Sequence, residues 1–218
     1  MVDVSEEVKQ FRKTADITEI QMMFGRFATL MDQMDALGIY EELMAKDAEG
    51  VSVEYTCNGK YVGPEHVKLF FEDLHAKLND LGDKRGWFDP TYGVTPRVEV
   101  SEEGDRAYAS WLMFGPKAKQ ASPYGASERT LTAFWYGGKM LWELVKVDGV
   151  WKILHFHQVT YLSSPYDQGW VKQPECWRES PIWKTLPDED QRFYVYNPDR
   201  VYVKNGVYDW GPYIPEMI

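Results

Sequence analysis

Alternating apolar residues predict two long β-strands that fold back on each other between Glu128 and Leu162. Asp148-Gly149 lies between them, and this pair favours the positive φ angles of a two-residue hairpin turn. The register that such a turn predicts pairs Val147 with Val150, Lys146 with Trp151, Leu144 with Ile153, Trp142 with His155 and Met140 with His157. Because side chains alternate across a strand, both histidines are expected on the same face as Trp142.

Apolar residues spaced three and four apart predict three helices ahead of this hairpin. Their expected ranges are 17–34, 36–46 and 64–82. Thr14 or Asp16 would cap the first helix, which leaves residues 1–14 as a leader. Asp35 would cap the second helix, and Pro64 suits the first turn of the third.

Shorter strands complete the pattern. Residues 51–55 and 61–62 alternate as a small strand pair, and residues 95–101 and 106–114 form a second predicted hairpin around Glu103-Gly104. Helices that precede a set of antiparallel strands are typical of the α+β class.

Residues 163–218 show no sustained helical or strand period, yet they hold seven of the twelve prolines and four of the nine tryptophans. Disordered segments are poor in aromatic residues, so we expect packing to order this extension. It would wrap over the outer face of the sheet or over a partner subunit, or else form a lid over the mouth of the fold. A small hairpin is predicted within it from residues 193–196 and 200–203.

The composition of the chain limits the classes of binding partner that we expect. The net charge of −10 argues against nucleic acid and against an anionic membrane as partners, and no apolar stretch approaches the ~20 residues of a membrane span. The polar N-terminus is unlike a signal peptide. With only Cys57 and Cys176, a disulfide framework is not expected, and a cytoplasmic location is the default.

Few residues offer chemistry. The sequence has no glycine-rich phosphate loop, no helical metal-binding His-Glu-x-x-His motif and no pair of CxxC motifs. His155 and His157 are spaced like two metal ligands, but a third ligand is not evident, so neither metal nor cofactor is expected. The chemistry that we expect is therefore acid/base catalysis by Asp32, His155 or His157. Tyr40 is among the residues whose hydroxyl group could donate a hydrogen bond to a substrate.

Three stretches carry a resemblance to a known fold. They are residues 27–35, a helix ending in two aspartates, residues 59–67, a small hairpin feeding a helix, and residues 147–153, the tight turn followed by Trp151. In this order they resemble the cone-shaped fold of nuclear transport factor 2 and its relatives, the SnoaL-like cyclases, scytalone dehydratase and ketosteroid isomerase. The resemblance covers about residues 15–162. This fold hosts enzymes, carriers and assembly modules alike.

The resemblance implies an architecture and a function. Three N-terminal helices would pack on a curved antiparallel sheet, and the cone would bind a small hydrophobic molecule, an aromatic or polycyclic carbonyl compound. A dehydratase, isomerase or cyclase reaction without a cofactor would follow; the alternative is a ligand-binding or oligomerisation module that performs no reaction. A homodimer through the sheet is expected, with a trimer as the other arrangement.

The resemblance also implies roles for particular residues. Asp32 matches the aspartate at the end of the first helix and would orient the imidazole of His155, which would move the proton. His157 is the substitute if the hairpin register is shifted. The expected substrate-binding residues are Tyr40, Tyr55, Tyr61, Trp111 and Trp142.

Overall fold

Three helices precede a six-stranded sheet in the computed structural model, which describes residues 4–55, 59–79, 87–121, 130–167, 203–204 and 207–208. The helices are α1 (Val4–Asp32), α2 (Ala36–Leu43) and α3 (Pro64–Asn79). The strands of the sheet are β1 (Ser52–Tyr55), β2 (Gly59–Val62), β3 (Val94–Val100), β4 (Arg106–Ala121), β5 (Thr130–Val147) and β6 (Val150–Pro165). The α+β class is confirmed.

The strand order is β2-β1-β6-β5-β4-β3. Neighbours are antiparallel except for β1 and β6, which run parallel, so the sheet is mixed rather than wholly antiparallel as predicted. The parallel pair begins where the chain leaves α2. There the backbone N–H of Ala45 donates to the carbonyl of Ile153 at 2.8 Å, which aligns the incoming chain with β6 before β1 starts.

The second and third helices form where the sequence predicts them. The Asp35 side chain caps α2 by accepting a hydrogen bond from the Gly38 backbone N–H at 2.9 Å. All five apolar positions predicted for the buried face of α3 are buried; they are Val67, Phe70, Phe71, Leu74 and Leu78. None of the helices in the described ranges combines the length and the apolar character needed to cross a membrane.

The first helix begins at Val4, so the predicted leader and the predicted cap at Thr14 or Asp16 are wrong. Thr14 lies inside the helix, and its hydroxyl donates to the carbonyl of Gln10 at 2.9 Å. The N-terminal residues are mostly exposed and therefore lack the apolar period on which the prediction relied. Good helix formers and an ion pair between Glu6 and Lys9 support the helix here instead.

Asp16 joins α1 to the end of the sheet. Its carboxylate, which is 9% exposed, accepts a hydrogen bond from the Trp151 indole N–H at 2.9 Å and lies 2.6 Å from the Lys146 ammonium. Lys146 also lies over the Trp151 ring, 4.7 Å from its centre. One side chain of the helix thus contacts both strands of the final hairpin.

The hairpin turn is confirmed, because Asp148 and Gly149 have φ angles of 52° and 82°. The register also follows the prediction as far as the pairing of Leu144 with Ile153. Beyond that pair Glu143 lies opposite His155, so Leu154 is an extra residue in β6, a β-bulge.

The bulge overturns the rest of the predicted register. Trp142 pairs with Phe156 instead of His155, and Met140 pairs with Gln158 instead of His157. A slip of one residue moves every following side chain to the opposite face of the sheet. Both histidines therefore lie on the face opposite to Trp142.

A second small hairpin pairs β7 (Val203–Lys204) with β8 (Val207–Tyr208). Asn205-Gly206 stands between these strands in the sequence, and this dipeptide is typical of tight turns. The predicted segment at residues 193–196 and its partner up to residue 202 lie outside the described residues.

We predict that Asp16→Ala lowers the free energy of unfolding by about 2–4 kcal/mol, because it removes the acceptor of a buried N–H and the counterion of a half-buried ammonium. The measurement is chemical denaturation monitored by circular dichroism. Asp32→Ala is the matched control on the same helix, where the carboxylate is exposed, and should change stability by no more than about 0.5 kcal/mol. Equal losses in the two variants would contradict the role of Asp16.

Candidate functional site

The face of the sheet that the helices cover carries a layer of aromatic rings. Trp111 and Trp142 come from neighbouring strands with ring centres 4.7 Å apart, and Phe24 of α1 stacks on Trp111 at 4.5 Å. Phe27 meets Trp142 edge-on at 5.6 Å and lies 5.4 Å from Phe156. All five rings are buried, and we call them the aromatic layer.

One polar group of the aromatic layer lacks a hydrogen-bond partner among the described residues. Trp142 is 2% exposed, and its indole N–H has no hydrogen-bond acceptor within the part of the chain that the structure describes. A buried donor left without an acceptor costs about 1–3 kcal/mol. An acceptor on a bound molecule or water would remove this cost.

Residues 87–93 lie against the C-terminal half of β4. The backbone groups of Phe88 and Ala118 exchange two hydrogen bonds, of 2.7 and 2.6 Å. Tyr92 lies against Gly115 so closely that a Cβ on that glycine would stand 2.2 Å from the tyrosine ring, which explains why glycine is needed there. Burial, followed by the charge of Asp89, raises the pKa of Tyr92 above its usual value of 10.0.

Four polar side chains meet beside this loop. The Lys117 ammonium lies 2.6 Å from the Asp89 carboxylate, and the two side chains are only 12% and 8% exposed. The same ammonium stands 4.2 Å from the centre of the Tyr136 ring, and the Gln158 amide donates to the Tyr136 hydroxyl at 2.5 Å. We call Asp89, Lys117, Tyr136 and Gln158 the polar cluster.

The polar cluster adjoins the aromatic layer. Gln158 lies directly opposite Met140, which in turn lies opposite Trp111. Phe156 precedes Gln158 by two residues on the same strand face. The Tyr136 hydroxyl, held by Gln158, therefore reaches the row of residues that carries the aromatic rings.

The predicted histidines lie on the opposite face, in a polar network. His155 shares a hydrogen bond of 2.7 Å with the Ser52 hydroxyl through Nδ1, and its Nε2 lies 3.3 Å from Glu143. Arg106 and Tyr108 contact the same carboxylate at 3.2 and 3.5 Å. Ser52 is 2% exposed, so this serine, histidine and glutamate cannot present a nucleophile to a substrate.

His157 lies on the same outer face, where its Nε2 is 3.7 Å from the Glu54 carboxylate. Glu54 and Lys60, which pair across β1 and β2, are both buried. Among the described residues, His, Cys, Asp and Glu form no group of three that could hold a metal ion. Cys57 is outside these residues.

Asp32 is exposed at the end of α1. The histidine it was expected to orient has Ser52 and Glu143 as neighbours instead. A helix that continues past its last buried residue, Leu30, turns Asp32 towards solvent. The predicted pairing of Asp32 with His155 in one cavity therefore has no support in the arrangement of these side chains.

The predicted substrate-binding residues separate into two groups. Trp111 and Trp142 are in the aromatic layer. Tyr40 is buried against Phe71, with ring centres 6.0 Å apart, and burial raises the pKa of its hydroxyl. Tyr61 is buried against Phe70, with ring centres 5.2 Å apart. The backbone of Tyr55 pairs with that of Gln158.

None of the four residues of the polar cluster was predicted from the sequence as a site residue. Asp89 lies in a loop without periodicity, and Lys117 lies three residues beyond residue 114, where the predicted strand ends. Alternation did carry a signal, since residues 107, 109, 111, 113, 115 and 117 share one face of β4. If the predicted strand is continued to residue 117, alternation places Lys117 on the same face as the buried Trp111.

A model of the SnoaL-like domain matches residues 12–157. Similar solved structures include an assigned scytalone dehydratase from Novosphingobium aromaticivorans, LinA, and the hexachlorocyclohexane dehydrochlorinase LinA-type3 from Novosphingobium barchaimii. Their TM-scores are 0.52, 0.52 and 0.51, with identities of 16%, 19% and 18%. Each alignment covers 72% of this chain and 91%, 93% and 93% of the other. A search of curated sequences gives no match.

At these identities the solved structures show the fold alone. The helices on one face of the sheet and the agreement with these structures confirm the expected cone-shaped fold for the described core.

We predict that His155 makes stability fall in mild acid. Burial lowers the pKa of His155 below its usual 6.5, against the opposing effect of Glu143. The unfolded chain therefore takes up a proton near pH 6.5 while the folded chain does not. The contribution of His155 to the free energy of unfolding is therefore fully present above that pH. It is lost as the pH falls from there through the pKa of the folded state, by at most about 1.4 kcal/mol per pH unit.

The measurement is urea denaturation from about pH 7.5 to 5. His155→Gln should flatten this dependence, because the group whose pKa differs between the folded and unfolded chain is removed. An unchanged slope in His155→Gln would contradict the assignment.

Proposed function

Because the chain belongs to the SnoaL-like domain family, we propose that its interior binds a small aromatic carbonyl compound and acts on it by acid/base catalysis without a cofactor. The proposed reaction class is elimination or isomerisation next to the carbonyl group. The observation that carries the proposal is the buried ion pair of Asp89 and Lys117, whose ammonium stands over the Tyr136 ring next to the aromatic layer.

A buried ion pair is an expensive way to stabilise a fold. Removing two charges from water costs several kcal/mol, and apolar residues of similar size would often serve as well or better. Active sites are where such pairs are most useful, because a carboxylate with a fixed counterion stays charged in an apolar setting. Asp89 then has the properties of a general base.

The aromatic layer suits the body of the ligand. Its rings offer flat apolar surfaces, and the Trp142 indole N–H offers a buried donor to an oxygen of the bound molecule. Pockets of this kind typically combine an apolar lining with a few fixed polar groups. A flat ring system that carries a carbonyl group matches both features.

The carboxylate of Asp89 and the ammonium of Lys117 would support an elimination or isomerisation through proton transfer. Asp89 would take a proton from the carbon next to the carbonyl, and the electron pair would move onto the carbonyl oxygen. That transfer neutralises Asp89, so the Lys117 ammonium loses its counterion just as a negative oxygen forms for it to stabilise. The proton would then pass to a leaving hydroxyl, which departs as water, or return to another carbon of the ligand.

Two of the similar structures are described as a scytalone dehydratase and a dehydrochlorinase, and both names denote eliminations. At 16% and 18% identity they give this chain no substrate. They do make an elimination a reasonable first reaction to test.

A second candidate is binding without a reaction. Its support is the exposure of Asp32 and the location of His155 and His157 on the outer face, which leave the interior without the acid/base residues that the sequence analysis expected. On this alternative the polar cluster would only fix the orientation of the ligand.

We predict that Asp89→Asn and Tyr136→Phe each lower kcat/KM by about 10²–10⁴-fold, as expected for loss of a general base or of a stabilising hydroxyl. The probe reaction is dehydration of 3-hydroxy-1-tetralone, followed through the fluorescence of the 1-naphthol formed. Asp32→Asn is the matched control and should keep the rate of the unmodified protein. Binding of the probe without 1-naphthol formation would favour the second candidate.

We predict that Trp142→Phe weakens the binding of 1-tetralone by about two- to tenfold, because one hydrogen bond to its carbonyl is lost. The affinity for tetralin, which has the same ring body without the oxygen, should stay within about twofold, since no hydrogen bond is at stake. Isothermal titration of both compounds measures the difference. Equal losses for the two compounds would show that the indole N–H does not recognise the carbonyl.

A further inference from the structure

A row of aromatic and apolar side chains lies on the outer face of the sheet, near the ends of the long strands. We call it the aromatic strip; it consists of Leu112, Phe114, Trp135 and Tyr166. Leu112 and Phe114 alternate on β4 with the buried Trp111 and Met113, so they point away from the helices. The strip is distinct from the aromatic layer and from the polar cluster.

The rings of the strip form a stacked series. Phe114 and Trp135 are nearly parallel, at 11° with centres 5.8 Å apart, and Trp135 and Tyr166 follow at 26° and 5.9 Å. Phe114 nevertheless keeps 51% of its surface exposed, and Tyr166 keeps 63%. A contiguous apolar surface of this kind marks a place where something binds.

The chain itself leaves the sheet at this strip. Strand β6 ends at Pro165, and the next residue, Tyr166, is fixed by a hydrogen bond of 3.0 Å from its backbone N–H to the Ala133 carbonyl. The residues that follow include Trp170, Trp177 and Trp183. An extended chain spans at most about 3.5 Å per residue, so Trp170 remains within about 14 Å of Tyr166.

We propose that the aromatic strip is the docking surface for residues 168–183 of the same chain. The segment starts at the strip and brings tryptophans to it, and full burial of one large apolar side chain contributes about 1.5–3 kcal/mol. Because the segment is tethered, its effective concentration at the strip is of the order of millimolar, which a second molecule would not reach at ordinary concentrations. The occupant is therefore the chain's own extension.

The test is hydrogen exchange of the full chain, read by mass spectrometry on peptides from residues 168–183. Phe114→Arg places a charge in the middle of the strip, and these peptides should then exchange about tenfold faster or more, because the contact that protects them is lost. Phe11→Arg makes the same replacement at a position on α1 that is 75% exposed and outside the strip, and it should leave the exchange unchanged.

Tyr166→Arg gives a second disruption of the strip at its other end and should have the same effect as Phe114→Arg. Unchanged protection of amides in residues 107–113 shows that the sheet remains folded in each variant. Equal exchange of the 168–183 peptides in the unmodified protein and all variants would overturn the proposal. So would a fall from two-chain to one-chain mass in Phe114→Arg with the exchange of those peptides unchanged, since a second copy would then be the occupant.

Discussion

The extra residue in β6, Leu154, decides which chemistry faces the interior. Without this bulge, His155 and His157 would stand beside Trp142 under the helices, where two imidazoles would have to be buried away from Glu143 and Glu54. With it, Phe156 takes the interior position and completes the aromatic layer, while the histidines meet Ser52, Glu143 and Glu54 on the outer face. One inserted residue thus separates an apolar interior from a polar exterior in the centre of the sheet.

That separation also explains where acid/base groups can enter the interior. The middle of the sheet supplies apolar and aromatic side chains, and α1 is held across it by Asp16 at one end. A second buried pair of charged residues reaches the inner face at the far end of β4, where the loop that holds Asp89 crosses Lys117. Placing the charges there leaves the aromatic packing intact and keeps the ion pair next to the surface that a flat ligand would contact.

The sequence predicts the parts of this arrangement that depend on local patterns. Helical spacing identified α2 and α3, and the Asp35 cap and the Asp148-Gly149 turn follow from local backbone preferences. Alternation predicted the first half of β4 and the start of the β5–β6 register. A bulge has no comparable local signal, because Leu154 is an ordinary strand residue whose displacement depends on the strands beside it. The error in locating the histidines follows directly from this.

The polar cluster was missed for a different reason, which concerns distance along the chain. Asp89, Lys117, Tyr136 and Gln158 come from a loop and three strands, and each is unremarkable in its own segment. Only the pairing of β4 with β5 and of β5 with β6 brings them together. Asp32 shows the converse, since the resemblance implied a catalytic role for it while its side chain faces solvent. In this fold the sheet register, more than any local motif, therefore determines which residues can take part in chemistry.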